Sequence, residues 1–189
     1  MQKKIGVVLL FIFFGFFQQG IAQSKVQKLQ TFETQSKQEL QGNWLYQKGD
    51  NANWASPSLD DTQWKALNPR LWLDSLEKGT FEGIGWFRLH LEVPKALRGK
   101  TVALQMFQRG ASEVYINGEL AHQYGIVSSD ESKEKKYNPF GEPVKLSLNK
   151  EKHQVLAVRY TSSNAIWLHK YLNRWARTAG FHAYVASMD

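Results

Sequence analysis

Trp86 and Arg88 sit two residues apart in WFRLHLEV, and that spacing places an indole and a guanidinium on one face of an extended strand. An indole offers a flat apolar platform to a ring. A guanidinium offers donors in a rigid fork to hydroxyls or to a carboxylate. The same pair serves packing equally well, with Trp86 filling a second core layer and Arg88 held by Asp61 or a backbone carbonyl, as a buried guanidinium demands. Covalent and acid–base chemistry find less support. The chain has no Cys, no G-x-S-x-G and no H-E-x-x-H. Its five histidines, at 90, 122, 153, 169 and 182, follow no metal-ligand spacing. The adjacent acids Asp60-Asp61 and Asp130-Glu131 fall in turn sequences, and nothing sets two carboxyls on opposite sides of a scissile bond. No spacing rule marks a metal site, so no metal or cofactor is assigned. The expectation is a chain that binds rather than catalyses.

The elements that would position these residues are β-strands. Phe87, Leu89, Leu91 and Val93 alternate with Trp86, Arg88, His90 and Glu92, the pattern of a half-buried strand that Pro94 ends. TVALQMF puts Val102, Leu104 and Met106 on one face. SEVYI and ELAHQYG flank Asn117-Gly118, a strong hairpin signal because a type I′ turn needs positive φ at both central residues. PVKLSLN alternates at Val144, Leu146 and Leu148. In HQVLAVRY, Val155, Ala157 and Arg159 oppose Leu156, Val158 and Tyr160, so the strand is covered on both sides except where Arg159 must find a partner or solvent. Earlier, Trp44, Trp54 and Trp64 recur every ten residues among turn formers, which reads as irregular chain pinned by aromatic anchors. Late in the chain, Trp167, Tyr171 and Trp175 recur every four residues beside Leu168 and Leu172. This predicts an amphipathic helix over 165–179, capped at Ser163 or Asn164 and stopped by Gly180, before a last strand in FHAYVAS. Seven or eight strands without βαβ spacing define the expected class: all-β, a jelly-roll β-sandwich with one C-terminal helix.

The chain opens with MQKKIGVVLLFIFFGFFQQGIAQS. Lys3 and Lys4 precede an apolar run over 5–17, and Gly20 and Ala22 are small where a signal peptidase reads. The expected organisation is a signal peptide at 1–22, a polar leader at 23–42 and one sandwich domain at 43–189. With no Cys there is neither a lipid anchor nor a disulfide, and the expected location is the periplasm or exterior of a bacterial cell envelope. No second apolar run reaches transmembrane length. The formal charge of +7 loses Lys3 and Lys4 on cleavage and becomes +5, too mild and dispersed for nucleic acid.

From Leu59 to Tyr184 the order of features resembles a known group. SLDDTQWKAL, FEGIGWFRLHLEVP, TVALQMFQRGASEVYINGELAHQYG and LAVRY follow one another as in galactose-binding-like jelly rolls, specifically the sugar-binding domain of family 2 glycoside hydrolases. Related domains occur in bacterial sensor proteins. Domains of this fold often hold a structural ion, so the resemblance leaves room for calcium, to which Asp50, Asp60 and Asp61 have oxygens to lend, though no spacing rule marks a site. The resemblance implies a non-catalytic module that binds carbohydrate or senses a ligand, or else a structural accessory domain of a glycosidase or membrane sensor. The candidate ligand residues are Trp54, Trp64, Trp86, Arg88, Tyr124, Tyr137, Asn138 and Arg159. A pocket between the polar loop 128–136 and the Trp54/Trp64 segment is the expected site. Trp167, Tyr171 and Trp175 are the candidate surface for a partner protein.

Overall fold

The computed structural model describes residues 26–33, 36–163 and 178–188. Among the described residues, eleven strands form two sheets. They are β1 Val26–Lys28, β2 Lys37–Glu39, β3 Leu45–Lys48, β4 Lys65–Ala66, β5 Ile84–Glu92 and β6 Thr101–Gln108, followed by β7 Ala111–Ile116, β8 Glu119–Tyr124, β9 Pro143–Ser147, β10 His153–Thr161 and β11 Phe181–Ala186. The larger sheet runs β4-β3-β5-β10-β7-β8, with β1 added parallel to β5; the smaller runs β2-β11-β6-β9. The signal peptide expected at 1–22 lies outside the described residues. No helix among the described residues is long and apolar enough to cross a membrane.

The alternation read from the sequence builds the space between the sheets. Phe87, Leu89 and Leu91 of β5, Leu156, Val158 and Tyr160 of β10, and Val114 and Ile116 of β7 face Leu104 and Met106 of β6 and Phe181, Ala183 and Val185 of β11. One flank of β5 is shared. β3 pairs with its first half, Gly85 to Arg88, and β1 with its last three residues, His90 to Glu92. The hairpin forms as expected, with Asn117 at φ 52° and Gly118 at φ 90°.

The larger sheet is covered on its outer face too. Trp86, Ala157 and Ala55 form a separate buried cluster, packed by Trp54, Trp64 and Tyr115. The irregular segment 49–64 therefore lies across β5, β10 and β7, and β5 is buried on both faces.

At one edge the sandwich is closed by chain that changes sheet. After β2, residues 40–44 carry the backbone from the smaller sheet to β3 of the larger, and the Trp44 indole N–H donates to Leu40 O at 2.8 Å. After β4, loop 66–72 ties both sheets together. Leu67 N–H donates to Trp44 O at 3.0 Å, while Ala179, Gly180 and Phe181 donate to Leu71, Arg70 and Pro69 at 3.1, 3.0 and 2.8 Å.

That clamp corrects one expectation. No α-helix occurs among the described residues; helical geometry is confined to 3-10 turns at Ala52–Ala55 and Lys95–Leu97, and Phe181–Ala186 is a strand. Thr178 and Ala179, assigned to the end of a C-terminal helix, are instead bonded across to loop 66–72, Thr178 bridging to Trp72. Amides spent on that loop cannot close a helical turn. The rest of the stretch expected to be helical, 165–177 with Trp167, Tyr171 and Trp175, lies outside the described residues.

Gly180 makes the clamp possible, because a Cβ there would lie 1.8 Å from Pro69 O. Gly180→Ala is therefore expected to lower stability by about 2 kcal/mol or more in a denaturant titration, since backbone must move to relieve the overlap. An unchanged midpoint would show that loop 66–72 is not held as described.

Candidate functional site

The five outer-face residues singled out in the sequence lie near one another, and each is held by partners within the protein. Arg88 is fully buried. Its Nε–H donates to Asp61 Oδ2 at 2.7 Å and its Nη1 to the carbonyls of Trp54 and Ser56 at 2.5 and 2.9 Å. The guanidinium carbon lies 5.7 Å from the Trp64 ring centre, and His90 Nε2 approaches the same Asp61 oxygen at 2.9 Å. Trp86 stacks on Tyr115 at 5.4 Å and meets Trp54 edge-on at 6.5 Å. Arg159 finds its partners in Asp50, at 2.7 and 2.6 Å, and Glu113, at 3.0 Å. Asp50 and Asp61, considered as calcium ligands, are thus paired with guanidinium groups, and Asp60 accepts from Thr62 N–H. No group of three or more His, Asp or Glu able to hold a metal occurs among the described residues.

Tyr124, Tyr137 and Asn138 are elsewhere. Tyr124 belongs to the core between the sheets, with Tyr137 stacked on it at 6.4 Å. Asn138 Oδ1 accepts from the amides of Gln108 and Phe140 and fastens its own loop. Tyr124 pairs with Ser112 at one end of β7, whereas segment 54–64 packs on Tyr115 and beside Gly118 at the other. The two groups therefore stand at opposite ends of β7.

A cleft of about 430 Å³ opens at the closed edge, between the 40–44 crossover, loop 66–72 and His182 of β11. Trp72 stands in it 39% exposed. The Arg70 guanidinium binds the Glu39 carboxylate, whose other oxygen accepts from the Gln41 amide. The guanidinium carbon also lies 5.9 Å from the Trp72 ring centre. Asn68 Oδ1 accepts from Arg70 N–H at 3.0 Å and sets the turn. Leu71 gives this arrangement its direction. Its φ of 49° is unfavourable for a branched side chain, yet Leu71 is buried in the core while its neighbours Arg70 and Trp72 line the cleft.

Burial pushes the His182 imidazole below its ordinary value, aided by the Arg70 charge and opposed by Glu39. Burial alone would raise Glu39, but hydrogen bonds from Arg70 and Gln41 and the Arg70 charge outweigh it and hold the carboxyl low. The cleft therefore carries a neutral imidazole and a compensated ion pair near pH 7. It offers donors and acceptors beside an exposed indole.

Glu39, Arg70, Trp72 and His182 were not singled out by sequence reasoning. They come from three separate segments, and only the position of Trp72 in a polar loop, off any strand pattern, set one of them apart.

No family model and no curated protein matches the chain. Solved structures do. A glycosyl hydrolase family 2 member from Bacteroides cellulosilyticus matches with 23% identity and a TM-score of 0.51, over 80% of this chain and 20% of that one. A Bacteroides uniformis beta-glucuronidase matches with 21% identity and a TM-score of 0.52, over 80% and 18%. A β-glucuronidase from Ruminococcus gnavus matches with 13% identity and a TM-score of 0.51, over 88% and 31%. The protein is thus an all-β two-sheet sandwich of the kind found as one part of family 2 glycosyl hydrolase chains. It spans about a fifth of the length of the first two of these.

Two outcomes follow from the two groups of charges. Asp61→Ala leaves Arg88 buried without its counter-charge and is expected to cost about 3–5 kcal/mol in denaturant unfolding, whereas removing one partner of an exposed pair costs little. Acidification tests the cleft. Above pH 6.5 the depressed His182 value contributes its full stability, and that contribution is lost as pH falls through the folded value; the Glu39 contribution is present above 4.5 and fades at lower pH still. His182→Gln should flatten the melting-temperature profile in the upper window alone. An unaltered slope there would mean that the imidazole is not desolvated.

Proposed function

We propose that this protein is a non-catalytic carbohydrate-binding module that holds a glycan in the cleft beside Trp72. One observation carries the reading: an exposed indole and a guanidinium–carboxylate pair share one cavity of small-molecule size. A pyranose presents an apolar C–H face and a rim of hydroxyls that donate and accept together. The indole stacks on the face. Arg70 gives donors to a hydroxyl oxygen, Glu39 accepts from a neighbouring hydroxyl, and Gln41 and Asn68 complete the rim. No bond is made or broken. The sequence's leader supports export to the cell envelope, where such a module would meet polysaccharide.

A second reading is a structural accessory domain of a larger enzyme or sensor. The observation in its favour is that the sandwich corresponds to about a fifth of the family 2 glycosyl hydrolase chains it resembles.

Purified protein titrated with a panel of mono- and oligosaccharides, followed by calorimetry, separates the two. Saturable binding should appear for at least one glycan, and Trp72→Ala or Arg70→Ala should each weaken it at least about tenfold, roughly 1.4 kcal/mol, without changing the near-UV circular dichroism. A flat response from folded protein to every sugar would leave the accessory-domain reading standing.

A further inference from the structure

We infer that the Trp72 cleft is one half of a two-subsite groove for a neutral oligosaccharide, and that a second saccharide unit sits in a cavity on the far side of β4. This rests on the carbohydrate reading above and extends it from a ring to a chain.

The second cavity has a volume of about 530 Å³ and shares Ala66 and Leu67 with the first. One loop walls both. Asn68, Pro69, Arg70 and Trp72 line the Trp72 cleft and Ser75, Leu76, Glu77, Gly79 and Thr80 the second cavity, and two successive turns fold this loop, with Ser75 N–H donating to Trp72 O and Thr80 N–H to Glu77 O, both at 3.1 Å. The residues common to both cavities are Leu67 and Ala66, the small, exposed end of a two-residue edge strand.

The second cavity has the chemistry to read hydroxyls. Gln63, Lys65 and Glu77 line it with exposed side chains that make no ion pair or hydrogen bond among the described residues. Tyr46 lines it as well, and its hydroxyl is buried without a hydrogen-bond partner. The charges of the cavity cancel, since Lys48 pairs with Glu82 and Lys65 is balanced by Glu77. The Trp72 cleft is likewise neutral through Arg70 and Glu39. A groove with both donors and acceptors but no net charge fits a neutral glycan better than a polyanion, which needs an excess of cations.

The test is a length series. Full-length protein is titrated by NMR with neutral gluco-, galacto-, manno- and xylo-oligosaccharides of one to four units. For the sugar that binds, affinity should rise at least tenfold between one unit and two or three, then level off. Gln63→Ala with Lys65→Ala, both outside the lining of the Trp72 cleft, should abolish the rise and leave monosaccharide affinity intact. Equal affinity for one unit and four, or a series untouched by Gln63→Ala with Lys65→Ala, would overturn the groove while the Trp72 cleft stood. Silence from every sugar at every length would overturn the carbohydrate reading and the groove with it.

Discussion

Arg88 lies fully buried at the middle of a strand that is itself covered on both faces, and much of the chain's course follows from satisfying it. A guanidinium cannot shed its charge, and leaving one unpaired in the interior costs several kcal/mol. Asp61 supplies the counter-charge, and the carbonyls of Trp54 and Ser56 take two further donations. All three acceptors belong to the segment between β3 and β4. That segment must therefore lie across the outer face of the larger sheet, and Trp54, Trp64 and Ala55 seal the apolar surface around Trp86 as it does so. The cover delivers the chain to β4 at the sheet edge, and from β4 the backbone enters loop 66–72. The cleft stands where it does because a cation two strands away had to be paired.

Loop 66–72 shows how a binding surface can be held by core packing. Its backbone bonds to both sheets, and Leu71 turns inward at a positive φ. Burying Leu71 anchors the loop, with a fully buried leucine worth about 1.5–3 kcal/mol against the strain of its backbone. With that side chain committed to the core, Arg70 and Trp72 line the cleft at a set separation. The site needs no further scaffold to be ordered before a ligand arrives, and preorganisation of this kind spares the entropy of ordering a loop on binding.

The sandwich was legible in the sequence because each strand states its own face. Phe87, Leu89 and Leu91 alternate, Asn117-Gly118 demands a turn that few other pairs allow, and the doubly apolar pattern of β10 gave away a strand covered on both sides. Arg159 announced its need for a partner by interrupting that pattern, and Arg88 was weighed as an Asp61 partner on the same logic. What stayed hidden depends on chain crossing chain. The Trp72 cleft draws Glu39, Arg70 and His182 from segments whose nearness depends on the change of sheet at residues 40–44. Tyr124 ends the strand read in ELAHQYG, but its side chain belongs to the core and not to the polar loop that follows, a choice of side that the strand pattern alone did not reveal. The helical spacing of Trp167, Tyr171 and Trp175 misled at its end, where Thr178 and Ala179 spend their backbone on loop 66–72. Periodicity reports which face of an element is apolar and cannot report a tertiary backbone partner that overrides it.

Stability explains the two arginine clusters of the larger sheet, and it does not explain the Trp72 cleft. Breaking the Arg88–Asp61 pair would expose an uncompensated charge to the interior, so that pair is needed for the fold. The Arg70–Glu39 pair is partly solvated, and pairs of that kind contribute about 0–1 kcal/mol. An indole left 39% exposed forfeits part of the burial that makes tryptophan a strong core residue. Neither feature repays its placement through folding. Yet both are set by a strained leucine and by a glycine whose Cβ would strike Pro69. Strain that keeps an aromatic face and a guanidinium–carboxylate pair open in one cavity is not explained by folding, and the proposed ligand, an apolar face edged with hydroxyls, is a shape those two groups would jointly complement.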